Sequence, residues 1–563
     1  MKRVVFLVAL LAACTGSQQR VANPARQGAP PAEPQPAPVA TAAPQAQAGQ
    51  ADAGLTPQVG QAPEKAGAAP SPEKPGAGTP PAKETAQATP GATTTAPPLM
   101  PDAAFRAGQP PPLARQPNFQ PPVPVRRKLR NGARVLIVEN HSLPLVAVDV
   151  RFLHGVDADP RDKPGLAEFV ADAVDEGTKT RPAEKLAEEI EDLAAHLGAG
   201  AGLESATVHL NCLTETLPKA LELLADVVQN PAFRPEDVER VRILKLTGLE
   251  QKKASPGALA ADEAAKILYG PAHPWGQPAG GTPQSVSSIT RADLAAYHDQ
   301  WWVPNAAVIS VAGDVKADEI VRLLNEKFAS WRPRRLPRLA LPAFPALRRR
   351  EIVALDKPGT TQAQVWVVGR LFKATDPAAI PLRVANMTLG GLFTSRLNLN
   401  LREKHGYSYG VSSSLSLMRN SGTFSARGGI VARNTVEAVS EYERELQGFS
   451  NGQVSSAELA AAKEALVRGL PAALETNDAV SGAMGNLVSL GLPLDYYRTL
   501  PARVNGVSQA DVKRVVTQWI TPERWPVVIV GPVAQNREAL EKLNLGPVTV
   551  APAVPAPKPS AAR

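Results

Sequence analysis

The spacing of apolar and polar positions changes repeatedly between residues 124 and 545, and each spacing predicts a type of element. Apolar residues at every second position predict strands, and apolar residues three or four apart predict helices. Strands are predicted at 143–152, 205–213, 306–312, 352–371, 407–417, 423–430 and 527–530. Helices are predicted at 182–197, 218–228, 234–253, 256–268, 291–300, 317–331, 381–389, 395–404, 436–449, 456–474, 479–490, 510–519 and 535–543. This mixture predicts an α+β fold.

Two local signals place the first elements of the folded body. Asn131 and Gly132 separate two stretches with strand-like alternation, which predicts a β-hairpin. The stretch from Gly165 to Gly177 has apolar residues at helical spacing and a glycine at each end, which predicts a short helix. A predicted strand precedes this helix, and the amphipathic helix 182–197 follows it.

An internal repeat divides the body into two parts. In each copy an Asp near a helix start is followed by a Trp, a Pro and a Gly at identical spacings, and an apolar run precedes the Gly. The matching residues are Asp293, Trp301, Pro304 and Gly313 in one copy, and Asp511, Trp519, Pro522 and Gly531 in the other. The repeat predicts two homologous domains, 124–331 and 351–545, joined by a linker at 332–350.

The composition predicts two further segments that are disordered. The chain has 563 residues and 56 prolines, which are concentrated towards its ends. Residues 15–123 are rich in Ala, Pro, Gly, Gln and Thr and show no apolar periodicity, so they predict a disordered tether. The Pro- and Ala-rich residues 546–563 predict a disordered tail.

The first 14 residues predict export. A basic start and an apolar run too short to span a bilayer precede Cys14, as is typical of a secretory signal. The small residues before Cys14 resemble a bacterial lipoprotein box, which implies cleavage there and acylation of Cys14. An ordinary signal peptide that happens to contain a Cys is the alternative. We therefore expect a lipid-anchored protein of the bacterial cell envelope, on the outer membrane and facing the periplasm.

The net charge of +8 does not by itself predict a partner. The densest basic runs, 332–338 and 348–350, lie in the linker, where they indicate either an anionic partner or a solvated connector. Basic and aromatic residues are not interleaved as in nucleic-acid-binding proteins, so we expect no nucleic acid. Cys212 lies in a predicted strand and is expected to be a small buried hydrophobic residue.

The strand, the Gly-bounded helix and the amphipathic helix resemble the N-terminal domain of the pitrilysin/insulinase family of zinc peptidases. In that family the helix carries the motif His-x-x-Glu-His, with two zinc ligands and a general base. The motif positions fall here on Glu168, Ala171 and Asp172, and a later Glu ligand falls on Gly248. Glu250 is two residues away and is expected to point elsewhere. All four motif positions depart from the family pattern.

A hydrolytic zinc site needs about three His or carboxylate ligands and a base near the bound water. The seven His residues form no pair three or four apart, so we expect no zinc site in this chain. Glu168 and Asp172 keep the motif's four-residue spacing. They indicate either a solvated helix face or weak binding of a hard cation.

The second domain keeps more of the family pattern. Residues 390–411 run from a Gly-Gly turn through Leu-Arg-Glu-Lys to a Tyr-containing strand, and they resemble the signature of the family's C-terminal domain. The resemblance implies that Arg402 and Tyr409 hold the substrate backbone and stabilise the oxyanion across a closed chamber. Tyr407 is two residues away on the predicted strand, so either hydroxyl remains a candidate.

The resemblance implies two homologous α/β sandwich domains, each an antiparallel sheet with helices packed on it, that form a clam-like half chamber after the tether. The family includes heterodimers, such as the mitochondrial processing peptidase, in which one subunit holds zinc and the other does not. This implies a non-catalytic subunit that binds no cofactor, closes over a zinc-bearing partner and binds peptide or unfolded protein segments.

Two alternatives remain open at the level of the sequence. One is a catalytically silent peptide-binding or scaffold lipoprotein of the envelope. The other is an enzyme with its own metal at Glu168 and Asp172.

Overall fold

The computed structural model of the protein describes residues 119–554. The predicted signal peptide with Cys14, nearly all of the tether and the end of the predicted tail lie outside the described residues. The described chain folds into two six-stranded sheets with helices packed against them. The α+β class and the two homologous domains are therefore confirmed.

The first half begins with the predicted hairpin across Asn131 and Gly132. Its strands are β1 Val125–Lys128, β2 Arg134–Glu139, β3 Leu145–Phe152, β4 His196–Ala201, β5 Ala206–Leu213 and β6 Ala307–Gly313. Its helices are α1 Leu166–Ala173, α2 Ala183–Asp192, α3 Leu217–Gln229, α4 Pro235–Lys252, α5 Pro256–Tyr269, α6 Pro283–Ser288, α7 Arg291–Trp301 and α8 Ala317–Lys327.

The second half follows the extended linker at 332–350. Its strands are β7 Ile352–Asp356, β8 Gln362–Leu371, β9 Ser408–Leu417, β10 Gly422–Val431, β11 Val527–Gly531 and β12 Val548–Pro552. Its helices are α9 Ala379–Asn386, α10 Arg396–Asn398, α11 Thr435–Ser450, α12 Ser456–Ala473, α13 Asn477–Leu490, α14 Tyr496–Asn505, α15 Gln509–Trp519 and α16 Arg537–Lys542. The π-helical segments Met387–Gly391 and Leu399–Lys404 continue α9 and α10.

Both sheets are mixed, so the prediction of antiparallel sheets is wrong. The first sheet has the order β1-β2-β6-β3-β5-β4, and β2 runs parallel to β6. The second has the order β12-β7-β11-β8-β10-β9, and β7 runs parallel to both β11 and β12. Apolar alternation reveals a strand but not the direction of its neighbour, because parallel neighbours are joined by long crossovers.

The two sheets differ at one edge. The first sheet ends in β1, which belongs to the N-terminal hairpin, whereas the second ends in β12, which comes from the C-terminal side of the chain. The strand Val548–Pro552 falls in the predicted tail 546–563, so the second domain extends past its predicted end at residue 545.

Strand β4 replaces the end of a predicted helix. Helix α2 ends at Asp192, Ala194 adopts a positive φ of 47°, and the chain then pairs with β5 from His196 onward. Gly198 and Gly200 give this strand a weak sequence signal. Its position is determined by the hydrogen bonds to β5, which the local sequence does not reveal.

Each half contributes one helix to the sheet of the other half. Helix α5 packs on β8 and β11, and helix α13 packs on β3 and β6. Each is the third helix after the edge hairpin of its own repeat. The helices α5 and α13 are thus exchanged between the halves, and each sheet is covered in part by a helix from the other half of the chain.

Both exchanged helices pack apolar residues on the sheet of the other half, and Met484 of α13 does so against Val308 and Ala312. Ala264 and Leu268 of α5 belong to the same apolar cluster as Trp366 of the second sheet. Helix α13 adds polar contacts to the first sheet, where Oδ1 of Asn486 accepts a 2.8 Å hydrogen bond from Nη1 of Arg151. None of the helices within residues 119–554 is long and apolar enough to cross a membrane.

Candidate functional site

A buried aspartate determines where helix α1 begins. The carboxylate of Asp159 accepts hydrogen bonds from the backbone N–H groups of Gly165 (2.9 Å) and Ala167 (2.8 Å). Gly165 has a φ of 91°, and a Cβ atom there would lie 2.7 Å from the backbone of Gly281. Only glycine fits this close approach at a positive φ, so the helix starts at one defined point.

Helix α1 brings two of the predicted motif residues together. Its apolar residues, including Phe169 and Val170, are buried in the core, and Glu168 and Asp172 lie one helical turn apart outside it. Ala171 is 1% exposed and belongs to the apolar core. No side chain at this third position acts as a base.

A lysine from helix α4 lies between the two carboxylates. Nζ of Lys245 is 2.6 Å from Oδ2 of Asp172 and 3.9 Å from Oε2 of Glu168. The side chains of Lys245 and Glu168 are only 10% and 17% exposed. The predicted motif helix and the predicted ligand helix are therefore joined by an ion pair.

The pKa shifts agree with this geometry. Burial raises the pKa of Glu168, and the more distant attraction of Lys245 opposes the rise only in part. Burial acts to lower the pKa of Lys245, but the charges of Asp172 and Glu168 outweigh it and raise the pKa above the ordinary value. Lys245 is therefore an ammonium ion throughout the neutral range.

The remaining motif position, Gly248, carries no side chain, and a Cβ atom there would meet nothing within 4 Å. The nearby Glu250 is turned away, as expected, and pairs with Lys253 at 2.6 Å. Within residues 119–554, no group of three or more His, Cys, Asp or Glu side chains has the geometry to hold a metal ion.

Cys212 takes no part in a polar site. It is buried on β5, and the expectation of a small hydrophobic residue is confirmed. Burial raises the pKa of its thiol to about 12, so the thiol stays protonated.

The second half presents its two predicted residues on the surface. Arg402 lies in the π-helical segment after α10, with its guanidinium 4.4 Å from the ring centre of Phe393 and Nε 3.3 Å from Oε1 of Glu403. Tyr409 lies on β9, the edge strand of the second sheet, and is 80% exposed. In the described chain, neither residue hydrogen-bonds the other.

The structure distinguishes Tyr407 from Tyr409. Tyr407 precedes β9, is partly buried, and stacks on His405 with ring centres 5.0 Å apart. Tyr409 leaves both its ring and its hydroxyl open to solvent. Tyr409 is thus the better candidate for contact with another molecule.

Sequence reasoning did not identify the residues that hold this surface in place. Buried Asn398 donates a 2.7 Å hydrogen bond to the carbonyl O of Phe393 and accepts one of 3.2 Å from the N–H of Val411 on β9. A Cβ atom at Gly390 would lie 2.3 Å from the backbone N of Ser413. The Gly-Gly pair was the available signal, because such a pair permits close backbone contact with a strand.

Two protein-family models match the chain. The model described as Insulinase (Peptidase family M16) matches residues 134–265, and the model described as Peptidase M16 inactive domain matches residues 288–466. The chain belongs to the insulinase family of peptidases.

Members of the insulinase family from distant organisms resemble most of the chain. An uncharacterized zinc protease of Mycobacterium bovis is 27% identical over 438 residues, which cover 75% of this chain and 96% of the relative. A probable mitochondrial-processing peptidase subunit beta of Arabidopsis thaliana is 25% identical over 433 residues, covering 72% and 78%. The peptidase M16 inactive domain from Pseudomonas fluorescens superposes with a TM-score of 0.68 at 26% identity, covering 73% of this chain and 98% of that structure.

The insulinase-family motif positions of this chain do not fit a zinc ion. Zinc in a hydrolytic site takes His and carboxylate ligands and leaves a position for water. Here, the four positions hold Glu168, Ala171, Asp172 and Gly248, and the ammonium group of Lys245 lies between the two carboxylates. Lys245 was not identified from the sequence, although its position three residues before Gly248 places both on the same side of α4.

Proposed function

We propose that this protein is the non-catalytic subunit of a heterodimeric metallopeptidase. It binds no zinc itself, closes over a zinc-bearing member of the same family and supplies Arg402 and Tyr409 to that partner's site. The observation that carries the proposal is the difference between the two halves. The first half has a lysine ion pair at the motif positions, and the second half presents a partly exposed Arg402 and an exposed Tyr409.

The chemistry of these two residues suits this role. Arg402 offers permanently charged donors in a fixed plane, and its contact with Phe393 orients that plane at the surface. The exposed hydroxyl of Tyr409 can donate a hydrogen bond to the oxyanion that forms during peptide hydrolysis. Both groups act on a substrate held by the partner, so this chain is inactive alone.

The edge of the second sheet supports peptide binding. Strand β9 has a neighbour, β10, on one side only, so its other side can pair with an extended peptide. Tyr409 lies on this strand and would flank such a peptide. We therefore propose peptides or unfolded protein segments as the substrate class of the complex.

A second candidate is a peptide-binding or scaffold protein without chemistry in any complex. Phe393 and Leu399 are 53% and 46% exposed, and with Tyr409 they supply the apolar surface that a binding protein needs. The two candidates differ in whether Arg402 and Tyr409 affect turnover or only binding.

Capture of the tagged full-length chain from its native membrane tests the proposal. Mass spectrometry should identify a co-purifying relative with an intact His-x-x-Glu-His motif, and the pair should cleave unfolded protein in a chelator-sensitive way. The partner and this chain, each purified alone, serve as controls. A captured chain that has no such relative and no activity contradicts the catalytic proposal and leaves the scaffold.

We also propose that acylated Cys14 anchors the protein to the bacterial outer membrane, facing the periplasm. The support is the sequence before Cys14, which resembles a lipoprotein box. Cys14→Ser should abolish incorporation of labelled fatty acid and release the protein from the membrane fraction. Cys212→Ser is the matched control and should leave both unchanged. Labelling that survives Cys14→Ser contradicts the anchor.

A further inference from the structure

Two lysines extend from one side of helix α4, before and after Gly248. Lys245 pairs with Asp172 of α1 at 2.6 Å, and Lys252 pairs with Asp262 of α5 at 2.5 Å. The three positions 245, 248 and 252 share one side of the helix because they are three and four residues apart. Helix α4 is therefore joined to α1 and to α5 by ammonium groups.

We propose that Lys245 is a tethered cation that takes the place of a metal ion between Glu168 and Asp172 and keeps divalent cations out. The inference concerns this chain alone, so its test does not depend on whether the proposed partner exists. The residues at the family's zinc positions do not fit a zinc ion, and the proposal gives their arrangement a role of its own.

The geometry explains the exclusion of ions. A divalent cation must approach carboxylate oxygens to about 2.0–2.6 Å, and Nζ of Lys245 already lies 2.6 Å from Oδ2 of Asp172. Lys252 on the same helix also acts on Glu168, and its positive charge favours the ionised form of that carboxyl group. A second positive charge near the carboxylates opposes an incoming cation further.

The same geometry explains the link between the helices. Lys245 and Glu168 are largely shielded from water, so their charges need partners within the protein. Removal of the ammonium alone leaves two carboxylates one turn apart without the cation that pairs with them. Removing one partner of a buried ion pair is strongly destabilising. Removal of all three charges leaves no such imbalance.

The test uses the full chain, Mn²⁺ as the probe and electron paramagnetic resonance as the readout. Lys245→Met keeps most of the length of the side chain and removes the charge. We expect Lys245→Met to bind about one Mn²⁺ at this site, with a dissociation constant roughly tenfold or more below the lower limit measured for wild type. The triple variant Lys245→Met, Glu168→Gln, Asp172→Asn should lose that binding. Lys253→Met is the matched control and should gain none, because Lys253 follows the same helix but pairs with exposed Glu250.

Thermal unfolding of the same variants gives a second readout. Lys245→Met should lower the melting temperature by roughly 5 °C or more, and the triple variant should recover most of the loss. If Lys245→Met fails to fold, the stability of the triple variant still tests the proposal. Wild-type Mn²⁺ binding that depends on Glu168 and Asp172, or a Lys245→Met protein that gains no Mn²⁺ affinity, overturns the proposal. A triple variant as unstable as Lys245→Met also overturns it.

Discussion

The hydroxyl of Ser481 donates a 2.8 Å hydrogen bond to Oδ2 of Asp149. Ser481 lies on the exchanged helix α13, and Asp149 lies on β3 of the first sheet. The contact joins the two halves of the chain through a titratable group. Burial raises the pKa of Asp149 to about 6, against the opposing charge of Arg151.

This shift predicts a pH dependence of stability. Between the unfolded pKa of 3.8 and about 6, the folded chain holds a proton on Asp149 that the unfolded chain releases. The contribution to the free energy of unfolding therefore falls as the pH rises through this window, by at most about 3 kcal/mol. Asp149→Asn should remove this fall and keep the acceptor for Ser481.

Urea unfolding of wild type and Asp149→Asn at several pH values from 4 to 7 measures how the free energy of unfolding of each protein changes with pH. Asp318→Asn, at an exposed position, is the control and should retain the wild-type slope. Parallel curves for wild type and Asp149→Asn would contradict the prediction.

His273 contributes with the opposite sign. It is buried in a ring cluster with Tyr269, Trp275 and Phe344, and burial lowers its pKa from 6.5 to about 4. The unfolded chain takes up a proton below about pH 6.5, whereas the folded chain stays neutral to about pH 4. Stability is therefore lost as the pH falls through this window, by at most about 3 kcal/mol.

His273→Asn separates this effect from general acid unfolding. The Asn oxygen can replace Nδ1, which accepts a 3.1 Å hydrogen bond from the N–H of Trp275. We expect the variant to be less stable at pH 7 but to lose less stability between pH 6.5 and 4 than wild type. Denaturant unfolding measures both values, and an unchanged acid slope would exclude His273 as a source.

Two glycines near the motif positions should respond oppositely to alanine. Gly165→Ala places a Cβ atom 2.7 Å from the backbone of Gly281 at a φ of 91°, so it should destabilise the fold by about 2 kcal/mol or more. Gly248→Ala meets no neighbour within 4 Å inside a helix and should stabilise it by about 0.5–1 kcal/mol. Calorimetry of this matched pair checks both signs.

The repeated helices α7 and α15 begin with the same capping box. Thr290 and Asp293 form it in the first copy, and Ser508 and Asp511 form it in the second. Thr290→Ala and Ser508→Ala should each cost about 1 kcal/mol of stability. Unfolding measurements should give similar losses, and a loss in one copy only would show that the two caps are not equivalent.

Substitutions at Arg402 and Tyr409 should affect turnover but not folding. In a reconstituted complex, Tyr409→Phe should lower kcat about 10²- to 10³-fold, as for the loss of one oxyanion donor, and Arg402→Ala should also lower activity. Tyr407→Phe and Arg349→Ala are matched controls, since Tyr407 stacks on His405 and Arg349 is exposed in the linker. Equal effects of Tyr407→Phe and Tyr409→Phe would reject the assignment to Tyr409.

Much of the fold could be predicted from local patterns. Apolar spacing identified α1, α4, α5 and the paired strands β9 and β10, because each buries one side of a regular element. The missed strand β4 and the late strand β12 are edge strands with little signal of their own. β4 is placed by its hydrogen bonds to β5, the next strand in the sequence, and β12 by its hydrogen bonds to β7, which comes much earlier in the chain.

Residue identity alone shows that the motif positions hold Glu168, Ala171, Asp172 and Gly248, and the ligand chemistry of these positions follows directly from residue type. It also indicated two homologous halves through the repeated spacing of Asp, Trp, Pro and Gly. The folded structure was needed to show that Lys245 lies near both carboxylates, that Tyr409 rather than Tyr407 is exposed, and that α5 and α13 are exchanged. These are contacts between residues distant in the sequence, and they arise only when the helices and sheets pack together.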